Sequence, residues 1–232
     1  MASMVGLRNN KGYTIIMFKL NLFALNQQPK ILCLGAHPDD IEIGCGATLL
    51  RIIDEVPKPE ICWVAFSGDK LRQNEAAESA SNFLSKVKTK KIIMKDFRES
   101  YFPFIGEKIK DYFEELEDDF RPDIIFTHYA NDAHQDHRLI SNLTWNTFRD
   151  HLILEYEIPK YDGDLSIPNV YVHVNNFVAK RKISLIMKGF PSQKEKKWFN
   201  EKTFQAILTL RGIESNSPTK YAEAFHCRKI IF

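Results

Sequence analysis

Cysteine is sparse and scattered in this chain: Cys33, Cys45, Cys62 and Cys227 form no C-x-x-C pair, which argues against a disulfide or all-cysteine zinc framework. Net charge is equally scarce. The 32 Lys plus Arg against 30 Asp plus Glu leave +2, so there is neither a single-sign tail nor the basic footprint of a dedicated nucleic-acid binder. No apolar run approaches the ~20 residues of a membrane span. The stretch Tyr13 to Leu25 is apolar, but Lys19, Asn21 and the lack of a small-residue cleavage site spoil it as a signal peptide. Linkers rich in Gly, Ser or Pro, internal repeats and low-complexity segments are also missing. What remains is 232 residues, 44% of them hydrophobic, enough to bury a sizeable core. The expectation is a cytoplasmic protein in a reducing compartment with no nucleic-acid partner and no membrane span; a homo-oligomer stays open.

Periodicity supplies the organisation. Lys30 to Gly35 (KILCLG) reads as a buried strand, and helix periodicity follows from Gly46 to Val56. The pattern repeats as strand Ile61 to Phe66, helix Asp69 to Ser85, strand Lys91 to Met94, helix Ile105 to Asp119, strand Asp123 to Thr127 and helix His134 to Phe148. Alternating units of this kind imply an α/β, Rossmann-like, mostly parallel sheet flanked by helices. Past His151 the alternation is less regular: Val170 to Val178 is strand-like, Lys182 to Lys188 and Trp198 to Leu210 are helical, and a last strand lies near Phe225 to Phe232. The expected organisation is an N-terminal extension over residues 1–29, partly disordered and with Met17 an alternative start, then a single domain over 30–232 with a modified C-terminal third.

In such sheets ligands bind outside the carboxyl ends of the strands. Two polar clusters fall there: Ala36-His37-Pro38-Asp39-Asp40 after the first strand, and His134-Gln135-Asp136-His137 at the start of the helix after strand Asp123 to Thr127. His37 and Asp40 from one loop with His137 from one helix turn give two imidazoles and a carboxylate, a set that suits zinc and leaves a position for water. Asp39 is then spare to act as a base. Each cluster alone has a plainer reading, since His-Pro-Asp turns cap helices and His134 and His137 could be an N-cap and a solvated helix face. Two such clusters at two strand ends favour a metal.

A-H-P-D-D followed by Gly44 and Gly46, with H-x-D-H opening a helix, resembles the LmbE/PIG-L zinc de-N-acetylase family. Arg72-x-x-Glu75, Arg121-Pro122-Asp123 and Tyr221-Ala222-Glu223-Ala224-Phe225 match as well, so the similarity spans roughly Lys30 to Phe232. The resemblance implies that His37, Asp40 and His137 ligate Zn²⁺, that Asp39 is the general base, and that His134 faces the tetrahedral intermediate. It further implies that Asp136 orients His134 and that Arg72 lies toward the sugar or its leaving acetate. Three positions depart from the pattern: Gln135 replaces a usual proline, His128-Tyr129 stands where a more apolar loop is common, and Gly44-Cys45-Gly46-Ala47 replaces G-x-G-G.

Other chemistries fit less well. The Gly44-x-Gly46-x-x-Leu49 run lacks the third glycine of a dinucleotide fingerprint, Asp132 occupies the first histidine of H-x-H-x-D-H, and Cys45 has no local base. The expected activity is therefore zinc-dependent hydrolysis of an N-acetyl group on an N-acetylglucosamine-type sugar or conjugate, a small-molecule partner. The alternatives are a hydrolase of a different amide, or a non-catalytic domain binding metal and a sugar conjugate. A binding module would have no need of the spare Asp39.

Overall fold

Short apolar runs separated by amphipathic segments fold as alternation predicts. The computed structural model describes residues 28–231 and two short strands nearer the N-terminus, β1 (Gly6–Arg8) and β2 (Thr14–Ile16), which pair antiparallel. The main sheet holds seven strands among the described residues: β3 (Lys30–Gly35), β4 (Glu60–Ser67), β5 (Thr89–Phe97), β6 (Ile124–His128), β7 (Leu152–Tyr156), β8 (Val170–Val174) and β9 (Tyr221–His226). The helices are α1 (Asp40–Glu55), α2 (Lys70–Phe83), α3 (Gly106–Asp119), α4 (Gln135–Thr147), α5 (Asn176–Gly189) and α6 (Glu201–Glu214).

Strand order is β5-β4-β3-β6-β7-β9-β8. The five strands β3 to β7 are parallel, while β9 pairs antiparallel with both β7 and β8. This is the mostly parallel sheet with a modified C-terminal third that the sequence predicts. The chain winds outward from β3 to β5, then returns to the other side of β3 as β6, so the switch point lies between β3 and β6, where a ligand crevice is expected. Alternate residues face opposite sides. Ile31, Cys33, Ile61, Trp63 and Phe126 join a core covered by α1, α2, α5 and α6, whereas Leu32, Leu34, Cys62, Val64 and Ile125 pack under α3 and α4. No helix among the described residues is long and apolar enough to cross a membrane.

Several boundaries differ from the periodicity, each for a packing reason. Helix α1 begins at Asp40 and not at Gly46; its first turns are packed tightly, and a Cβ on Gly44 would lie 2.2 Å from the Tyr156 ring. Strand β7 is a five-residue run with no periodicity of its own, sheltered between β6 and β9. The strand-like stretch after Val170 stops at Val174, where Asn175 caps α5 by accepting Val178 N–H. The last strand is Tyr221–His226, earlier than the expected Phe225 to Phe232. The reading of residues 1–29 as an extension, and of Met17 as a start, falls outside the described residues except at β1, β2 and residues 28–29. The pairing of those two strands was not foreseen, because three residues are too few to show a period.

Candidate active site

The first half of the site is the turn joining β3 to α1. Asp39 is the N-cap of α1 and adopts the left-handed region at φ 89°, a costly conformation for a residue with a Cβ, which persists only where its surroundings over-determine it. Several contacts do so. Asp39 O accepts Ile43 N–H at 3.0 Å, Asp40 Oδ2 accepts His37 N–H at 2.7 Å, and Arg72 Nη2 donates to Pro38 O at 2.8 Å. Gly68 backs the turn at φ 129°, where a Cβ would come within 2.8 Å of Pro38 Cγ.

The second half is the β6–α4 loop. His134 caps α4 with its ring, Nδ1 accepting Asp136 N–H at 3.2 Å. Asp132 Oδ1 accepts His134 N–H at 2.7 Å.

Across the switch point the two halves converge. His37 Nδ1 and His137 Nε2 are 3.1 Å apart, and Asp40 Oδ2 lies 3.4 Å from the first and 3.6 Å from the second. Metal–ligand bonds of about 2.0–2.1 Å would place the corners of a tetrahedron about 3.3–3.4 Å apart. The triangle therefore has the size of one face of a zinc site. His134 joins His37 and His137 in a second grouping of ligand atoms, and His128 joins Asp40 and His137 in a third. Both extra histidines carry other bonds, His134 as the helix cap and His128 through Nε2, which accepts Ala36 N–H at 2.9 Å.

Each imidazole of the triangle has a carboxylate on its far nitrogen. His37 Nε2 is 3.1 Å from Asp136 Oδ2, and His137 Nδ1 is 3.0 Å from Asp132 Oδ2. Such partners fix the tautomer and turn the other nitrogen toward a metal. The two rings differ in the charge they favour. Burial opposes charge on His37, but its bonds to Asp136 and Asp40 outweigh it and raise the group to about 10. His137 goes the other way, to about 3, through burial and the neighbouring His128. Burial also works against Asp40, yet His137 and His128 hold it well below the usual carboxylate range. Asp39 is raised by burial to about 7, against the pull of Arg72.

The expected site residues thus assemble, with one difference of role. The Asp136 carboxylate does not face His134: it takes His37 and the N–H groups of Ser100 and Phe102, at 2.6 and 3.2 Å, and only the Asp136 backbone meets His134. The reason is direction, since the first turn of α4 aims this side chain across the crevice. Arg72 braces the turn, with Nη2 3.4 Å from Asp39 Oδ1 and Nη1 3.3 Å from Glu99. Three supporting residues were missed. His128 is fully buried and stacks on His137 with ring centroids 3.9 Å apart. Asp132 orients His137, and Lys160 Nζ in turn lies 3.0 Å from Asp132 Oδ2. A polar residue ending an apolar strand was a usable signal for His128; nothing local marks Lys160.

A family model described as PIG-L: GlcNAc-PI de-N-acetylase matches residues 32–148, half of the chain, a span that contains both halves of the site. The uncharacterized deacetylase YaiS of Escherichia coli (strain K12) is 28% identical over 151 residues, 60% of this chain and 78% of that protein. Among solved structures, the N,N'-diacetylchitobiose deacetylase of Pyrococcus horikoshii superposes with a TM-score of 0.64 at 22% identity, over 86% of this chain and 83% of that one. GalB, the 4-carboxy-2-hydroxymuconate hydratase of Pseudomonas putida KT2440, superposes with a TM-score of 0.71 at 12% identity, over 88% and 98%. At these identities the structural likenesses speak for the fold alone.

Proposed function

This chain is a hydrolytic, amide-cleaving enzyme of the PIG-L de-N-acetylase family, and on that premise we propose that it is a zinc-dependent hydrolase removing the N-acetyl group from an N-acetylglucosamine-type sugar or conjugate. The observation that carries this reading is the triangle of His37 Nδ1, Asp40 Oδ2 and His137 Nε2 beside a spare carboxylate. These three residues would hold the zinc. When bound, zinc supplies Lewis acidity to the amide carbonyl and to the attacking water.

The chain's own residues supply the rest. Asp39 lies beside the triangle with Oδ1 against Arg72, while Oδ2 has no hydrogen-bond partner among the described residues. It takes the proton of the attacking water and passes it to the amine nitrogen as the C–N bond breaks, leaving acetate and a free amine. Arg72 holds that carboxylate through Oδ1, while its bond to Pro38 O and the Asp39 O···Ile43 N bond hold the turn that carries it. His134 Nδ1 accepts the Asp136 N–H, so the neutral ring carries its proton on Nε2 and offers a donor to the developing oxyanion. Burial and the neighbouring His37 lower the His134 pKa, which favours this neutral donor over the imidazolium.

Acetate release from a panel of N-acetylglucosamine conjugates by the zinc-loaded enzyme tests the reading. Release from at least one, abolished by a chelator and restored by zinc, is the expected result. Stoichiometric zinc with no acetate from any member would favour a binding domain, and cleavage only of amides without a sugar would move the substrate class.

A further inference from the structure

The Tyr221-to-Phe225 motif takes no part in the chemistry above, yet it reaches into α1. Glu223 of β9 is buried and accepts Ala47 N–H on Oε1 at 2.9 Å and Thr48 N–H on Oε2 at 2.6 Å. Lys182 of α5, 1% exposed, donates from Nζ to that same Oε1 and to Ile43 O, each at 2.5 Å. A regular helix assigns Ile43 O to Ala47 N–H. Here an ammonium also meets that carbonyl and a carboxylate also meets that N–H, so a buried ion pair is bonded to the backbone of α1 just after its first turn.

The placement has an electrostatic logic. A carboxylate on free-pointing N–H groups and a cation on a carbonyl are what the two ends of a helix prefer. The pair therefore gives backbone groups inside an unbroken helix the kind of partner that helix ends take. Gly46 sits beside the pair: a Cβ there would reach Lys182 Cγ at an ordinary 3.6 Å and crowd the Phe83 ring at 2.9 Å. Ile43 links the pair to the site, because its carbonyl is held by Lys182 while its N–H donates to Asp39 O. Stability alone is a poor reason for such a pair, since well-packed apolar residues of similar volume often do as well.

We propose that the Lys182–Glu223 pair is a positioning device for the metal-site turn, setting the register of the first turn of α1 and hence holding Asp39 and Asp40 against His37 and His137. The proposal rests on the reading of Asp40 as a metal ligand. It gives the C-terminal third a part in the site without lending it a ligand.

Cobalt(II) titration of the full chain provides the test, because its visible absorption reports ligand geometry independently of turnover. Glu223→Gln, the double variant Lys182→Met/Glu223→Gln and a control, Phe113→Leu in the core on the opposite face of the sheet, are compared with wild type for thermal midpoint, cobalt affinity and spectrum. Glu223→Gln is expected to weaken cobalt binding by about 10 to 100-fold, the range for residues that orient ligands, and to shift the spectrum. Phe113→Leu should lower the midpoint and leave both unchanged. Should the single variant fail to fold, the double variant removes both charges at similar volume and is expected to act in the same direction. Wild-type affinity and spectrum in either folded variant would overturn the proposal. Failure of the underlying reading looks different: Asp40→Asn would then bind cobalt as wild type does, and the proposal would fall with the ligand assignment.

Discussion

The two histidines of the proposed metal triangle are supported in opposite ways. His137 stands in the first turn of α4, and its far nitrogen meets Asp132 from the loop immediately before that helix. His37 stands in the turn after β3, and its far nitrogen meets Asp136, which belongs to α4 on the other side of the switch point. One proposed ligand is oriented by its own segment and the other by its partner segment. Asp136 also takes the N–H groups of Ser100 and Phe102, so it ties the β5–α3 loop to the same point. The local support fixes a geometry that α4 carries with it. The crossed support makes the first loop correct only when the second has docked, so both halves of the site form together.

The largest effect expected from disturbing this arrangement is that of His137→Ala, which removes a proposed ligand that Asp132 and the stacked His128 hold in place. Zinc content measured after dialysis should fall to background and hydrolysis with it; full retention of zinc would remove His137 from the ligand set. Asp39→Asn comes next, with metal retained and kcat lowered by about 10² to 10⁴-fold, the usual contribution of a positioned base. Activity close to wild type would show that another group takes the proton.

Asp132→Asn and Asp136→Asn bear directly on local against crossed support. Each is expected to cost about 10 to 100-fold in metal affinity, but hydrogen exchange should separate them. Asp136→Asn should speed exchange at the Ser100 and Phe102 amides, and Asp132→Asn should leave those amides protected. Equal loosening by both would end the distinction. The smallest effect on activity belongs to Phe113→Leu, in the fully buried core beneath α3. It should lower stability by about 1 to 3 kcal/mol with zinc affinity unchanged, which thermal melts alongside metal titration would check.

Much of this was legible in advance where chemistry and chain order coincide. Both halves of the site lie directly after an apolar strand, so His37, Asp39 and Asp40 could be placed from β3, and His134, Asp136 and His137 from β6. The first turn of α1 was not legible, because Gly44 and Gly46 argue against a helix until Tyr156 and Phe83 are seen to occupy the space their side chains would need. The pairing of Asp136 with His37 was hidden for a similar reason: adjacency suggested His134, while the direction of the side chain on α4 decided otherwise.

By itself the sequence determined the alternation of strands and helices, the parallel sheet and the residue types gathered at its switch point, since apolar periodicity and strand-end polarity are local properties. Only the tertiary structure decided which carboxylate serves which histidine, how Arg72 comes to brace Asp39, and that Lys182 and Glu223 meet inside α1 from elements far along the chain. Those contacts depend on distance and direction between segments separated by up to 176 residues, which no local pattern encodes.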